Sequence, residues 1–308
     1  MPYTRTISAA DQGRLDEFAD LLLGCRDAFL RIVEDYRWEP ASSSRAAADA
    51  AELAPTGGRH ELIGEAVAAY LELAVHHGGG LAGLYLSGEV FASPDQLARS
   101  IVESSARAVW ILGYDSLTTT ALDRLARAFI DNDMSNEEEQ KVDQWLHGKS
   151  SAAYANSKRK FKILRNEIKT RFPGDSDFST GRTIHNQDQG SLTGTVTKFF
   201  ETARTLGGAS IDAKVAEGIY SALSNGTHPT LYPLRRRRRP VSLAPGYIDT
   251  TLVVDVQYIE WLTKIAVVAV YIALSCVHDY IGQDFDPDSR FTDLIDSVLP
   301  GAILPPAT

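Results

Sequence analysis

Apolar residues recur at three- and four-residue intervals along most of this chain, and that spacing restricts the fold more than any other feature. In the first segment this spacing predicts a helix of about residues 11–37 with one apolar face. The residues of that face are Leu15, Phe18, Leu22, Cys25, Phe29 and Val33. Similar spacing predicts helices at about 60–77, 94–113, 117–133, 135–147, 151–171, 190–206, 210–225, 248–281 and 288–299. No convincing run alternates in the way a half-buried strand does. The sequence therefore predicts an all-α fold, an irregular multi-helix bundle.

Glycine, proline and serine divide the chain. The segment that begins at Pro40 is rich in small residues and ends at Gly57-Gly58, with room for a short helix. We expect residues 1–58 to form an N-terminal helix and linker, and residues 59–308 to form the helical bundle core with a basic loop at 229–247. The run Gly78-Gly79-Gly80 is expected to end the second helix, because glycine is the poorest helix former after proline.

Composition excludes several classes of protein. The formal net charge of -9 argues against general affinity for nucleic acid, so such binding would have to be local. The two cysteines, Cys25 and Cys276, form no CxxC motif, which argues against a disulfide framework or structural zinc and fits a cytoplasmic protein. The apolar run Ile265–Val277 is shorter than the roughly 20 residues of a bilayer span. We interpret it as a buried core helix and expect no membrane partner.

A candidate site arises from two distant helices. Arg99, Glu103, Arg107, Trp110 and Tyr114 share one stripe of the 94–113 helix, whose other faces are apolar, so the stripe is expected to point inward. A buried pair of Glu103 and Arg107 would need further partners.

The second helix offers such partners near its end. Tyr220, Ser224 and Thr227 share a stripe there, and His228 follows as a possible acid or base. The predicted catalytic set is therefore His228, Glu103, Arg107, Tyr220 and Ser224. Two alternatives stay open: a solvent-exposed salt bridge, and a simple helix end with Gly226 in the left-handed conformation and Pro229 as the stop.

These two stretches carry a family resemblance. Glu103–Trp110 (E-S-S-A-R-A-V-W) and Y-x-x-L-S-x-x-x-H-P at residues 220–229 resemble motifs of a poorly characterised bacterial all-helical family related to HEPN-like domains, over about residues 60–281. Active HEPN proteins are metal-independent RNases with an Arg-x(4–6)-His pair at a dimer interface. No histidine of this chain has an arginine at that spacing, so the resemblance implies the fold but not the nuclease, with His228 at the matched position.

Five consecutive arginines form a second candidate site, for an anion, RNA or an acidic protein partner. They lie between Pro233 and Pro240 and are Arg235, Arg236, Arg237, Arg238 and Arg239. The alternative is that they meet the acidic surface of the protein itself.

Metal and cofactor motifs are weak or absent. Asp131, Ser135 and Glu139 match the spacing of the second magnesium motif of class I terpene cyclases, but no aspartate-rich motif precedes them, and Ser135 is interpreted as the cap of a new acidic helix. Glu72 and His76 have no second ligand pair. We expect no metal and no cofactor.

Two functional hypotheses follow. In the first, the chain is a HEPN-like protein without the nuclease pair that binds RNA or a protein partner in defence or stress response. In the second, it is an enzyme of small-molecule metabolism that uses His228 as acid or base in an interhelical pocket. The helix at 248–281 also offers a surface for a homodimer.

Overall fold

The computed structural model describes residues 7–35, 37–91, 93–114, 118–178, 181–207, 213–227, 238–244, 247–252 and 255–303. Ten α-helices occur in these residues, and they are α1 (Ala9–Glu34), α2 (Arg45–Leu53), α3 (Glu61–Leu86), α4 (Ser93–Leu112), α5 (Ala121–His147), α6 (Ala152–Arg171), α7 (Leu192–Gly207), α8 (Ala213–Thr227), α9 (Val256–Ile281) and α10 (Arg290–Val298). A single 3₁₀ turn, Ala54–Thr56, follows α2 in this part of the chain. The predicted all-α class is confirmed.

The core forms around α4. This helix packs against α3 and α9 on two sides and against α7 and α8 on others, while α1 covers α3 and α9. The predicted apolar face of α1 is buried, with Leu15, Phe18 and Leu22 at 0–1% exposure. The N-terminal helix therefore belongs to the same hydrophobic core as the rest of the bundle.

Helix α9 is long and strongly apolar, and it lies mostly inside the protein. It is long and apolar enough to cross a membrane by length and composition, yet most of that window is buried against other helices. Its buried residues run along its whole length, from Ile259 to Ile281. This is the behaviour of a core helix, as the sequence predicted.

The glycine run does not end the second helix. α3 continues through Gly78, Gly79 and Gly80 to Leu86. The reason is tertiary, because a Cβ on Gly78 would lie 3.8 Å from the Leu22 carbonyl and one on Gly80 would lie 3.5 Å from Leu97. Close packing of α1 and α4 on both sides offsets the helix-propensity cost of about 1 kcal/mol for each glycine.

A single helix replaces the two helices predicted at 117–133 and 135–147. α5 begins at a capping box, in which the Asp123 amide donates to Thr120 Oγ1 at 3.1 Å and the Thr120 amide donates to Asp123 Oδ2 at 2.9 Å. Ser135 lies within the helix, so its interpretation as a cap was wrong. α6 packs along the second half of α5, and together they form what we call the α5–α6 arm (residues 134–171).

Two short antiparallel hairpins interrupt the helices. β1 (Ser176–Asp177) pairs with β2 (Thr183–Ile184), and β3 (Arg238–Ala244) pairs with β4 (Tyr247–Leu252). Part of the predicted basic loop and the predicted first turn of the 248–281 helix are therefore strands. α9 begins only at Val256, where the Asp255 side chain accepts from the Tyr258 amide at 3.1 Å.

Candidate functional site

One stripe of α4 carries charged side chains at four-residue intervals, and together they contact three neighbouring helices. Asp95 accepts a hydrogen bond from Tyr258 of α9. Arg99 and Glu103 meet α8. Arg107 meets α5. The stripe lies between packed helices, as the apolar character of the other faces predicted.

Arg99, Glu103 and Tyr220 form a connected network between α4 and α8. Arg99 Nε donates to Glu103 Oε1 at 2.6 Å, and the Tyr220 hydroxyl donates to the same oxygen at 2.9 Å. The other Arg99 nitrogens donate to Thr227 Oγ1 at 2.6 Å and to the Tyr220 hydroxyl at 3.2 Å. Ser224 takes part through its carbonyl, which accepts from the Thr227 hydroxyl at 2.8 Å.

The charges of this network favour a structural role, in which its side chains hold α4 and α8 together. The Arg99 and Glu103 side chains are only 23% and 25% exposed, and each neutralises the other. Burial raises the pKa of Tyr220, and the hydrogen bond to Glu103 raises it further. Tyr220 therefore stays protonated at neutral pH and acts as a hydrogen-bond donor.

Arg107 does not join this network. Its Nη1 lies 3.2 Å from Asp131 Oδ1, and the Tyr70 hydroxyl donates to the same oxygen at 2.7 Å. The expected pair of Glu103 with Arg107 is replaced by pairs of Glu103 with Arg99 and of Arg107 with Asp131, because α8 lies beside one turn of α4 and α5 beside the next.

Two of the residues that match the spacing of a magnesium motif are bound to other side chains. Asp131 binds Arg107 and Tyr70, and burial raises the pKa of its carboxyl group. Glu139 forms an ion pair with Lys160 of α6 at 2.8 Å. Asp131 and Glu139 therefore serve as partners for protein donors.

The remaining predicted residues divide between described and undescribed parts of the chain. His228, Arg235, Arg236 and Arg237 lie outside the described residues. Arg238 and Arg239 begin β3, where they pair in register with Leu252 and Thr251.

A buried ion pair, which the sequence did not reveal, joins three elements. Arg124 of α5 donates to Asp49 of α2 through Nε at 2.6 Å and Nη2 at 2.9 Å, and Tyr280 of α9 donates to Asp49 at 3.1 Å. The two charged side chains are 1% and 2% exposed. Asp49 lies in an alanine-rich segment that the sequence analysis interpreted as a linker. No local sequence pattern indicated that Asp49 would form a buried ion pair.

Charged residues also organise the α5–α6 arm. Asp133 of α5 is fully buried and accepts from Arg165 of α6 at 2.9 and 3.2 Å and from Arg182 at 2.6 Å. Farther along α5, Trp145 and Leu146 are each 73% exposed. An exposed tryptophan beside a basic helix is a feature of binding surfaces. The sequence analysis did not identify this surface, because the sequence of α5 resembles that of an ordinary acidic helix.

Among the described residues, a larger and a smaller cavity adjoin the bundle. The larger, of about 630 Å³, is mostly apolar and lies between α2, α3 and the end of α9, with Trp38, Val67 and Ile281 in its wall. The smaller, of about 270 Å³, is polar and lies between α4, α5 and the start of α7, with Arg127, Gln189 and Lys198 among its lining residues. Neither cavity is lined by Glu103, Arg107, Tyr220 or Ser224.

Comparison of the chain with protein-family models, with curated proteins and with solved structures gave no match.

Proposed function

We propose that this protein is a cytoplasmic, HEPN-like helical protein that binds single-stranded RNA through the α5–α6 arm without cleaving it. The observation that carries the proposal is the combination of an exposed basic face on α6 with an exposed tryptophan on α5. Positive charge along a groove and aromatic side chains for base stacking are the two components of single-strand binding.

The basic face is formed by cations that the protein does not neutralise. Lys158, Lys162 and Lys169 are exposed and have no carboxylate partner within the described parts of the chain. On a helix they lie within one stripe, which extends about 16 Å at 1.5 Å per residue. A stripe of this length suits several consecutive phosphates of one strand.

The acidic residues of α5 do not cancel this charge. Glu137 binds Arg182, Glu138 binds Lys141, and Glu139 binds Lys160. These three glutamates are thus paired, while Lys158, Lys162 and Lys169 of α6 face solvent. A local positive field is therefore compatible with the overall charge of -9.

The tip of the arm supplies the aromatic component. Trp145 is largely exposed, and Tyr154 lies at the start of α6 with the Lys158 ammonium 5.7 Å from its ring centre. Stacking of a base on such a ring contributes roughly 1–3 kcal/mol and tolerates any base. This favours binding with little sequence preference.

The polar network of α4 and α8 supports binding without cleavage. Glu103 and Tyr220 are held by each other and by Arg99. A side chain so engaged is poorly placed to move protons. The alternative small-molecule enzyme would have the apolar cavity as a binding volume, yet Glu103 and Tyr220 of the predicted catalytic set do not line it.

Fluorescence anisotropy with a labelled single-stranded RNA tests the proposal. Replacing Lys158, Lys162 and Lys169 by Gln should weaken binding and reduce the slope of log K against log salt by about 2, at roughly 0.7 per phosphate contact. The matched control replaces three exposed cations elsewhere, Lys214, Lys264 and Arg290, by Gln. It changes the net charge equally and should leave affinity and slope almost unchanged.

A second variant separates stacking from charge. Trp145→Ala should lower affinity by roughly 1–3 kcal/mol with the same salt slope, and the RNA should be recovered intact on a gel. Equal effects of the two triple variants would refute a specific surface. Absence of RNA binding, together with self-association that Trp145→Ala abolishes in sedimentation, would identify the arm as an interface between copies instead.

A further inference from the structure

The small polar cavity between α4, α5 and α7 has more hydrogen-bond donors than the protein can satisfy. Its volume is about 270 Å³, near the lower limit for small-ligand sites. We propose that this cavity binds a phosphate group, independently of the RNA surface on the α5–α6 arm.

Arg127 is the principal donor. Its Nε donates to Gln187 Oε1 at 2.9 Å and its Nη1 donates to the Trp110 carbonyl at 3.1 Å. Among the described residues, Nη2 donates no hydrogen bond and this guanidinium forms no ion pair. Both hydrogen-bond partners of Arg127 are neutral, and the Asp123 carboxylate acts on its charge without forming a direct ion pair.

The surroundings of Arg127 disfavour its charge in the absence of an anion. Burial lowers its pKa, and the positive charge of Arg124 acts in the same direction, while Asp123 opposes them. Asp123 is occupied by the Gln187 amide, which donates to it at 2.8 Å. A bound anion would place negative charge in direct contact with the guanidinium, which Asp123 does not do.

Gln189 is a second donor without a partner. Its amide nitrogen is inaccessible to solvent and forms no hydrogen bond within the described part of the chain, although Gln189 lines the cavity. A buried donor in this state costs about 1–3 kcal/mol. Rotation of this amide into the cavity would let a ligand oxygen accept from it and would remove that cost.

The start of α7 completes the site. Ser191 Oγ accepts from the Gly194 amide at 3.1 Å, which marks it as the cap, and Lys198 lines the cavity one turn farther along. Helix starts favour negative charge. With Arg127, Gln189 and Lys198 arranged around one volume, a tetrahedral oxyanion with several acceptor atoms fits better than a flat carboxylate.

Among the described residues that line the cavity, Asp188 is the single carboxylate, and it is exposed. It opposes an anion and provides a gain-of-affinity test. The cavity also lies apart from the arm surface, since Arg127 and Trp145 are about 27 Å apart along α5. Variants of the cavity should therefore leave RNA binding to the arm unaffected.

Isothermal titration with inorganic phosphate at constant ionic strength tests the inference. We expect Lys198→Gln to weaken binding about tenfold and Asp188→Asn to strengthen it several-fold, since charge-assisted hydrogen bonds are the strong ones. The exposed Lys214→Gln serves as the control and should bind like the parent. Arg127→Gln should abolish binding, with far-UV circular dichroism to check the fold.

Two further ligands distinguish the source of the phosphate group. Tighter binding of adenosine 5′-monophosphate than of inorganic phosphate, with adenosine inactive, indicates a phosphomonoester, whereas equal binding indicates the free ion. Failure of both phosphate and the nucleotide to bind would overturn the inference. Identical affinities of the parent, Lys198→Gln and Asp188→Asn would overturn it as well.

Discussion

At the scale of single residues, Gly226 shows how a local pattern misleads. Its position before Thr-His-Pro predicted a left-handed residue after a helix end. It lies instead within α8 and is not among the glycines with positive φ. A Cβ at this position would lie 2.5 Å from Asp95 Cβ on α4. The glycine is therefore required by the close approach of two helices rather than by its backbone conformation.

Gly226→Ala should lower the free energy of unfolding by about 1–3 kcal/mol, because the buried Asp95 cannot yield without disturbing α4. Gly218→Ala on the same helix is the control, since a Cβ there meets nothing within 4 Å. Gly218→Ala should raise the free energy of unfolding by about 0.4–1 kcal/mol or leave it unchanged. Urea denaturation measures both, and equal stability of the two variants would contradict the close approach.

At the scale of elements, Asp133 holds the α5–α6 arm together. It is fully buried between two guanidinium groups, those of Arg165 and Arg182, which are 30% and 22% exposed. Hydrophobic packing is sparse here, as α6 buries only Ser157, Leu164 and Ile168. The attachment of α6 therefore depends on charge more than the attachment of the central helices does.

Asp133→Asn should loosen α6 selectively. We expect the free energy of local unfolding of α6 to fall by about 1–3 kcal/mol. This loss is smaller than the loss from breaking a fully buried ion pair, because both arginines reach solvent. Hydrogen exchange should become faster in α6 and remain slow in α3 and α9. Asp143→Asn on α5 is the control, as Asp143 has no hydrogen bond or ion pair within the described residues. Uniformly faster exchange in all helices would refute a local role.

At the scale of the whole molecule, the pair of Asp49 and Arg124 connects distant parts of the chain. It joins α2, which belongs to the small-residue segment, to α5 and, through Tyr280, to α9. The same segment contributes Ala46 and Leu53 to the core. The small-residue segment that the sequence analysis interpreted as a linker thus packs into the folded protein through α2.

Asp49→Ala should reduce the stability of the whole protein by about 3–5 kcal/mol, because it leaves Arg124 buried and unpaired. The double variant Asp49→Leu with Arg124→Met removes both charges and should recover most of that loss. Urea denaturation followed by circular dichroism and by tryptophan fluorescence measures the change, and the two signals should coincide. A double variant less stable than Asp49→Ala would show that the charges themselves are needed.

The sequence by itself determined the helices, their buried faces and the inward direction of the α4 stripe, because a 3.6-residue period places side chains without reference to the rest of the chain. Only the tertiary structure decided the partners: Arg99 rather than Arg107 for Glu103, Asp131 for Arg107, and Asp49 for Arg124. It also decided that α3 continues through three glycines and that residues 238–252 contain strands. Such outcomes depend on which distant helix lies alongside each turn, and helical spacing carries no information about that.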